Sequence, residues 1–243
     1  MSLPFLSLII PVYNEAKRLP SALEQAYAYL QQQDYTFEVI VVENGSQDNT
    51  LQIALDFSER HPQVRVLEQR QRGKGLAVKR GMLQAQGVYR FMCDVDFSMP
   101  ITEIQRFLPP ALPDFDIAIA SREAPGSVRY HEPAHRHVIG RIYNSLIRWL
   151  LLPGLQDTQC GFKCFRAEVA EDLFPRQTLR GWSFDVEILF IARQRGYRIV
   201  EVPIVWYYNA NSRIHLVRDS LRMGLDLLTI RWNAFRGVYG SSS

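Results

Sequence analysis

The stretch FEVIVVENGSQDNT, residues 37–50, joins a mainly apolar run to a turn-rich loop. Its first part, 37–43, is typical of a β-strand that is covered on both faces. The polar segment 44–50 predicts a loop that opens into a helix at about 48–60. A buried strand that leads directly into a helix is the building block of parallel βαβ units, so this stretch indicates an α/β fold.

The same order of strand and helix recurs on both sides of this stretch. Further strands are predicted at 6–12, 64–69, 87–96 and 116–121, and further helices at 16–32 and about 76–86. Beyond them the pattern predicts a charged loop at 122–137, helices at 138–152 and 184–196, a turn and short strand at 157–165, and a strand pair or edge strand at 198–208. We therefore expect a Rossmann-like, mostly parallel sheet with helices on both faces.

Composition limits the class of protein. A chain of 243 residues with 47% hydrophobic residues is long enough to bury the core of one domain. Its net charge of +3 is too small and too scattered to indicate a nucleic-acid partner. The three cysteines fit buried thiols in a reducing cytosol, because Cys160 and Cys164 lack further ligands for zinc. No apolar run approaches the roughly 20 residues that cross a bilayer, so no membrane span is expected.

Two carboxylates follow the strand within RFMCDVDFSMP, residues 90–100: Asp94 and Asp96, with Val95 between them. They would repel each other unless a cation neutralised them, and Mg²⁺ or Mn²⁺ commonly binds one or two carboxylates together with substrate phosphates. The alternative is a solvated turn or helix cap, since aspartate is common in loops. The segments 13–15 and 43–46 also follow strands, and in parallel sheets ligands bind beyond the carboxyl ends of strands. These three loops are expected to form one crevice.

Eight motifs occur in one order along nearly the whole chain. They are IIPVYNEAKRLP (9–20), VIVVENGSQDNT (39–50), RGKGLAVKRGM (72–82), CDVDFS (93–98), ASRE (120–123), DTQCGFKCF (157–165), WSFDVE (182–187) and EVPIVW (201–206). In these motifs the sequence resembles the family 2 glycosyltransferases, most closely the polyprenyl-phosphate (dolichyl-phosphate) β-glucosyl and mannosyl kinds. The resemblance implies a GT-A-like fold and an inverting, metal-dependent transfer of a hexose from a nucleotide sugar to a polyprenyl or dolichyl phosphate. UDP-glucose is favoured as donor, with GDP-mannose next.

The resemblance also implies roles for single residues. The donor-binding positions carried over are Pro11, Tyr13, Glu15, Glu43, Asn44, Lys74, Asp94, Val95 and Asp96, of which Asp94 and Asp96 would hold Mg²⁺ or Mn²⁺. Glu43 and Asn44 stand where the family usually has two aspartates, so contacts to the base or ribose are expected to differ. Gly73 and Gly75 suit a close-approach loop, and Lys74 between them could meet a phosphate or remain a solvated lysine.

Cations on the acceptor side are expected to bind the lipid phosphate, because guanidinium groups hold phosphate in a bidentate fashion. The residues carried over are Arg122, Arg141, Ser145 and Arg213, each of which could also be an ordinary surface residue. A phosphate monoester is already anionic near neutral pH, so we expect no obligatory base. Asp157 is the candidate if a base or a sugar-orienting group exists. In WSFDVE, the side chains of Trp182, Asp185 and Glu187 could cover the sugar or begin a helix; Asp185 fits either role, and Glu187 fits a structural one.

The chain is expected to be one domain: a nucleotide-sugar half (1–121), an acceptor half (122–212), and a C-terminal amphipathic helix with its tail (213–243). That helix could lie on an anionic membrane or pack on the core. We expect a cytoplasmic protein attached peripherally to the membrane, alone or through a membrane-protein partner. Two alternatives remain open: a family 2 glycosyltransferase with a hydroxyl acceptor in cell-wall or polysaccharide assembly, and a catalytically silent protein that binds nucleotide or lipid phosphate.

Overall fold

The structure is a computed structural model that describes residues 3–209 and 216–240. Its strands are β1 Leu6–Val12, β2 Phe37–Glu43, β3 Val64–Glu68, β4 Tyr89–Met92, β5 Ile117–Ser121, β6 Val128–Tyr130, β7 Lys163–Arg166, β8 Ile199–Pro203 and β9 Val205–Tyr207. Its α-helices are α1 Leu19–Gln31, α2 Thr50–Arg60, α3 Lys74–Gln84, α4 Ala134–Leu150, α5 Ala167–Leu173, α6 Phe184–Gln194 and α7 Leu216–Phe235. Two short 3₁₀ helices are η1 Ile101–Phe107 and η2 Phe174–Arg176.

Seven strands form one sheet in the order β3-β2-β1-β4-β7-β5-β8. Neighbouring strands are parallel, except that β7 runs antiparallel to both β4 and β5. Lys163, the first residue of β7, is level with Met92 on one side and with Ile119 on the other. The carboxyl ends of β1, β2, β4 and β5 therefore meet at one edge of the sheet, and β7 begins at that edge.

Both faces of the sheet are covered, because alternate residues of β1 enter two apolar cores. Leu6, Leu8 and Ile10 belong to the core that includes the buried faces of α1 and α2. Ile9 belongs to the opposite core, which includes the buried faces of α3 and α6. A Cβ atom at Gly81 of α3 would lie 2.4 Å from Cγ2 of Ile9, so glycine is required for α3 to pack this closely on β1.

The predicted α/β class and mostly parallel sheet are confirmed, and the strands at 6–12 and 37–43 have the predicted bounds. The prediction of one loop over 122–137 is wrong, because β6 pairs there with β9 in a separate two-stranded sheet and α4 begins at Ala134. The predicted C-terminal helix is present as α7, although 210–215 lie outside the described residues. Its amphipathic character, and the division at 121 and 212, stay predictions.

Candidate active site at the carboxyl edge of the sheet

The acidic doublet lies in a tight turn just beyond β4. The amide of Cys93 still bonds to the carbonyl of Ile9 in β1, at 2.9 Å, and the chain then leaves the sheet. Asp96 follows, and one of its carboxylate oxygens accepts a hydrogen bond from the amide of Ser98 at 3.1 Å. Phe97 between them has a φ of +39°, which non-glycine residues rarely adopt. The turn therefore places both carboxylates at the edge where the parallel strands end.

Asp94 is held between a cation and a glycine. The ammonium nitrogen of Lys74 lies 2.5 Å from Oδ1 of Asp94 and 5.2 Å from the ring centroid of Trp182. On the other side, a Cβ atom at Gly161 would lie 2.0 Å from Oδ2 of Asp94, so only glycine fits there. Burial alone would lower the pKa of Lys74, but nearby carboxylates, Asp94 foremost, raise it. Lys74 is therefore a protonated, positively charged group beside the doublet.

The RGKG segment does make a close approach, and its partner is the chain's own segment 177–184. Gly73 has a φ of +156°, and a Cβ atom there would lie 2.4 Å from the carbonyl oxygen of Arg180. At Gly75 a Cβ atom would lie 2.7 Å from the Cβ atom of Phe184. The backbone on both sides of Lys74 is thus fixed, and the lysine can move only through its side-chain torsions.

A second buried ion pair lies next to the first. The ammonium of Lys163, at the start of β7, lies 3.3 Å from a carboxylate oxygen of Asp185 in α6 and 2.5 Å from the carbonyl oxygen of Cys160. Burial raises the pKa of Asp185, although Lys163 and Lys74 act in the opposite direction. Charges of alternating sign therefore continue from Asp94 through Lys74 and Asp185 to Lys163, which offsets part of the cost of burying them.

The residues expected to contact the nucleoside also lie at this edge. The guanidinium carbon of Arg72 lies 4.2 Å from the ring centroid of Tyr13, which follows β1. Glu15 pairs with Arg18 at 2.7 Å, and the amide of Gly73 donates to Oδ1 of Asn44 at 3.2 Å. Asn44 therefore fixes the RGKG segment, a role that an aspartate could also fill.

Three further donor-side residues complete this group. Pro11 lies in β1 and is partly exposed, while Val95 is buried between the two aspartates. One carboxylate oxygen of Glu43, at the end of β2, accepts a hydrogen bond from the amide of Ser46. That bond shapes the loop after β2, so Glu43 has a structural use in addition to any contact with a ligand.

On the acceptor side, Arg122 and Asp157 form a bidentate ion pair. Nε of Arg122 lies 2.6 Å from Oδ2 of Asp157, Nη2 lies 3.0 Å from Oδ1, and the amide of Arg122 donates to Oδ2 at 3.0 Å. The guanidinium carbon also lies 5.3 Å from the ring centroid of Trp206. Burial alone would raise the pKa of Asp157, but Arg122 outweighs it and lowers the pKa to about 2. Asp157 is thus a carboxylate at physiological pH whose oxygens are already engaged.

The loop that carries Asp157 is itself anchored. The two carboxylate oxygens of Glu201, in β8, accept hydrogen bonds from the amides of Gln156 and Asp157, each at 2.9 Å. Because β8 belongs to the main sheet, this pair of bonds ties the loop to the scaffold. Arg122 is consequently oriented by a connected set of polar contacts that ends in the sheet.

The structure shows fewer contacts for the other residues that were predicted on the acceptor side. Arg141 and Ser145 lie one turn apart on the exposed surface of α4, as their spacing predicts. No contact joins either residue to Arg122 within 3–209 and 216–240. Arg213 lies outside the described residues. The acceptor roles of Arg141, Ser145 and Arg213 therefore stay predictions. Among the described residues, Arg122 is the predicted acceptor residue that lies at the sheet edge that carries the acidic doublet.

The doublet suits a hard divalent cation. Asp94 and Asp96 offer carboxylate oxygens, the ligands that Mg²⁺ and Mn²⁺ prefer, and the side chain of Asp94 is 34% exposed. Across the described parts of the chain, no group of three or more His, Cys, Asp or Glu side chains is arranged to hold a metal. An ion at the doublet would therefore take its other ligands from water and from a phosphorylated substrate, which is common for Mg²⁺.

A family model matches the part of the chain that carries most of this sheet and the acidic doublet. The family model for "Glycosyl transferase family 2" matches residues 7–174, more than half of the chain. The chain therefore belongs to glycosyl transferase family 2, and the expectation of a glycosyltransferase is confirmed.

Among curated proteins, the chain is similar to dolichyl-phosphate beta-glucosyltransferases. The protein of that name from Drosophila melanogaster is 36% identical over a gapped alignment of 240 positions, which covers 93% of this chain and 74% of that protein. The one from Homo sapiens is 32% identical over a gapped alignment of 249 positions, which covers 96% of this chain and 77% of that protein.

Solved structures confirm the GT-A-like fold. Glucosyl-3-phosphoglycerate synthase from Mycobacterium tuberculosis, in complex with Mn²⁺ and UDP-glucose, has a TM-score of 0.66 at 18% identity, covering 94% of this chain and 79% of that one. A mannosyltransferase from Pyrobaculum calidifontis, in complex with GDP-mannose and Mn²⁺, has a TM-score of 0.58 at 20% identity, covering 97% of this chain and 65% of that one. At this identity the likeness concerns the fold alone.

Sequence reasoning missed several residues that complete the site. They are Arg72, Gly161, Lys163 and Trp206, which contact predicted site residues or continue their charge network. All four lie inside quoted motifs, so proximity in sequence was a signal for them. The contact between Gly161 and Asp94 had no such signal, since it joins loops that are 67 positions apart.

Proposed function

We propose that this enzyme transfers a hexose from a nucleotide sugar to a polyprenyl or dolichyl phosphate at a membrane surface, with glucose favoured over mannose. The observation that carries the proposal is the arrangement of charge at one sheet edge. An acidic doublet that suits a divalent ion and a fixed guanidinium that suits a second anion both lie at the carboxyl ends of the parallel strands. The names of the curated relatives support the same substrates.

On the donor side, Asp94 and Asp96 would bind Mg²⁺ or Mn²⁺, and Lys74 would face the diphosphate. A bound divalent ion would neutralise the charge that develops on the departing nucleoside diphosphate. Tyr13, Glu15 and Asn44 lie on the adjoining loops and would hold the nucleoside. The complexes of structural neighbours with UDP-glucose or GDP-mannose and Mn²⁺ support donors of this kind.

On the acceptor side, Arg122 would bind the phosphate of the lipid. Asp157 already engages Nε and Nη2, and Nη1 makes no hydrogen bond within the described ranges, so this nitrogen is available to a phosphate oxygen. We propose that the same phosphate is also bound by Arg141, Ser145 and Arg213. A guanidinium that is held by a carboxylate and an aromatic ring loses little conformational freedom on binding an anion.

The reaction would be a single displacement with inversion. A phosphate oxygen of the acceptor forms a bond to C1 of the sugar while the bond from C1 to the diphosphate oxygen breaks, and the nucleoside diphosphate leaves. No proton needs to be removed, because the acceptor is already an anion near neutral pH. Asp157, with a pKa of about 2, would be a weak base, so we assign it the orientation of Arg122.

Exposed apolar side chains on α4 and α7 support contact with a membrane. The two helices meet where the hydroxyl of Tyr143 donates to the carbonyl oxygen of Met223, at 3.4 Å. Trp149 of α4 is 80% exposed and Phe235 of α7 is 84% exposed. Further exposed apolar side chains on the two helices are Val138, Ile139, Ile142, Leu146, Leu225, Leu228 and Trp232. Groups of exposed apolar side chains on neighbouring helices often mark a site of contact with a membrane or another protein.

The helix α7 packs one side on the core and leaves apolar side chains exposed on another side. Leu227 and Ile230 are fully buried in the core, whereas Leu225 and Leu228 are exposed. Arginines 141, 148, 222 and 231 are exposed on the same two helices, Arg236 is exposed directly after α7, and these side chains would attract anionic lipid. No helix in the described ranges has the length and apolarity needed to cross a bilayer. We therefore propose peripheral attachment to the cytoplasmic face, with or without a membrane-protein partner.

Flotation with vesicles of phosphatidylcholine and phosphatidylglycerol tests the membrane proposal. The wild-type protein should float, and the double variant Trp149→Glu with Phe235→Glu should remain at the bottom, because burying carboxylates in the interface is costly. Val88→Glu is the matched control, since Val88 is an exposed apolar residue outside α4 and α7. Equal flotation of all three proteins, or none by the wild type, would contradict the proposal.

One transfer assay separates the candidate functions. The protein is incubated with radiolabelled UDP-glucose or GDP-mannose, Mn²⁺ and a short polyprenyl phosphate, and the mixture is extracted with organic solvent. Label in the organic phase, absent when EDTA is added, supports the proposal. Label on a soluble glycan would support the hydroxyl-acceptor alternative, and donor binding without transfer would support a silent binding protein.

A further inference from the structure

The contact between Lys74 and Asp94 places a cation where a metal ligand is needed. Oδ1 of Asp94 lies 2.5 Å from the ammonium of Lys74, and Oδ2 faces the backbone of Gly161, whose close approach leaves no room for a Cβ atom. A divalent ion that takes Oδ1 as a ligand would meet the ammonium at short range, and the two cations would repel each other. The divalent ion and the ammonium of Lys74 therefore compete for Oδ1 of Asp94.

Lys74 is able to move, although its backbone is not. The flanking glycines are fixed against Arg180 and Phe184, and the amide of Gly75 donates to the carbonyl of Arg180 at 3.0 Å. The side chain rests on the ring of Trp182 and is about one-fifth exposed. Lysine has four rotatable bonds, so its ammonium can leave Asp94 for another anion while the helix start stays in place.

We propose that Lys74 exchanges Asp94 for the donor's diphosphate, and that this exchange couples the binding of the metal to the binding of the nucleotide. The proposal rests on the metal site described under the proposed function. A metal that arrives alone has to displace the ammonium from Asp94, and the next carboxylate, that of Asp185, is already paired with Lys163. A metal that arrives with a nucleoside diphosphate offers the ammonium a new partner, so each ligand strengthens the binding of the other.

Binding of Mn²⁺, measured by the electron paramagnetic resonance signal of the free ion, tests this coupling without any turnover. In the wild type, saturating UDP should strengthen Mn²⁺ binding at least tenfold. In Lys74→Met, which keeps an unbranched side chain one atom shorter and loses its charge, Mn²⁺ alone should bind about tenfold more tightly than in the wild type. UDP should then strengthen Mn²⁺ binding by a much smaller factor. Lys79→Met, on the same helix, is the control and should behave as the wild type, because Lys79 bonds to the carbonyls of Pro175 and Gln177 instead.

Two results would overturn the inference, and they differ in what else they affect. If Lys74→Met and Lys74→Gln both remain folded by circular dichroism and bind Mn²⁺ alone no more tightly than the wild type, the exchange does not occur while the metal site stands. If neither the wild type nor the variants bind Mn²⁺, even with UDP, the metal assignment fails together with the inference.

Discussion

Replacing Asp157 with asparagine should destabilise the protein by about 2–5 kcal/mol at pH 7. Folding lowers the pKa of Asp157 from 3.8 to about 2, which corresponds to roughly 2.5 kcal/mol because one pKa unit equals about 1.4 kcal/mol. The variant also leaves the partly buried Arg122 without its carboxylate, and removing one partner of a buried pair typically costs about 3–5 kcal/mol, an upper bound here because the side chain of Arg122 is 21% exposed. The two figures describe the same contact from its two partners, so they are not added.

The pH dependence of this loss has a defined sign. A lowered pKa contributes stability that is complete well above 3.8, the ordinary value, and that disappears as the pH falls through about 2. Urea unfolding, followed by circular dichroism, should therefore show a wild-type advantage at pH 7 that falls by about 1 kcal/mol at pH 3. Asp114→Asn is the control: Asp114 pairs with Arg198 on the surface, its side chain is 75% exposed, and its replacement should cost about 1 kcal/mol or less.

Kinetics of the same variant separate an orienting role from that of a base. If Asp157 orients Arg122, Asp157→Asn should raise the KM for polyprenyl phosphate and leave the KM for the nucleotide sugar unchanged. A large fall in kcat with both KM values unchanged would instead assign Asp157 the role of a base. A stability loss below 1 kcal/mol at pH 7, or an equal loss at pH 7 and pH 3, would refute the reasoning from the ion pair.

Two further substitutions test the acidic doublet. Asp96→Asn should lower turnover by about a hundredfold or more and weaken Mn²⁺ binding, because an amide is a poorer ligand than a carboxylate; unchanged metal dependence would contradict this. Gly161→Ala should reduce Mn²⁺ binding and turnover at least tenfold, since the new methyl group would lie 2.0 Å from Oδ2 of Asp94. Gly140→Ala, where a Cβ atom meets nothing within 4 Å, should leave both unchanged, and equal behaviour of the two alanine variants would count against a role for the Gly161 approach.

Much of the fold could be predicted because the strands are apolar and bounded by turn residues. β1 and β2 have the predicted bounds, and the helices that follow differ by a few residues at their ends. The insertion of β7 between β4 and β5 could not be predicted, because that antiparallel pairing joins segments about 70 residues apart and leaves no local pattern. The short β6 was missed for the same reason, since its partner is β9.

In the candidate site, too, the sequence predicted which residues take part but not the long-range contacts between them. The family resemblance assigned Asp94 and Lys74 to the donor side and Arg122 and Asp157 to the acceptor side, and the structure places all four at one edge of the sheet. The particular contacts depend on how distant loops pack: Arg122 meets Asp157 across 35 positions, and Lys74 meets Asp94 across 20. The sequence left open whether Lys74 meets a phosphate or stays solvated, and its pairing with Asp94 became visible only in the packing of the two loops.

The most direct test of the central proposal is anomalous diffraction at the manganese absorption edge, from a crystal of this protein grown with Mn²⁺ and UDP-glucose. The account predicts one strong anomalous peak that is shared between carboxylate oxygens of the Asp94–Asp96 doublet and the diphosphate oxygens of the nucleotide. A well-ordered nucleotide whose diphosphate lies away from the doublet, with no manganese peak on either aspartate, would contradict it.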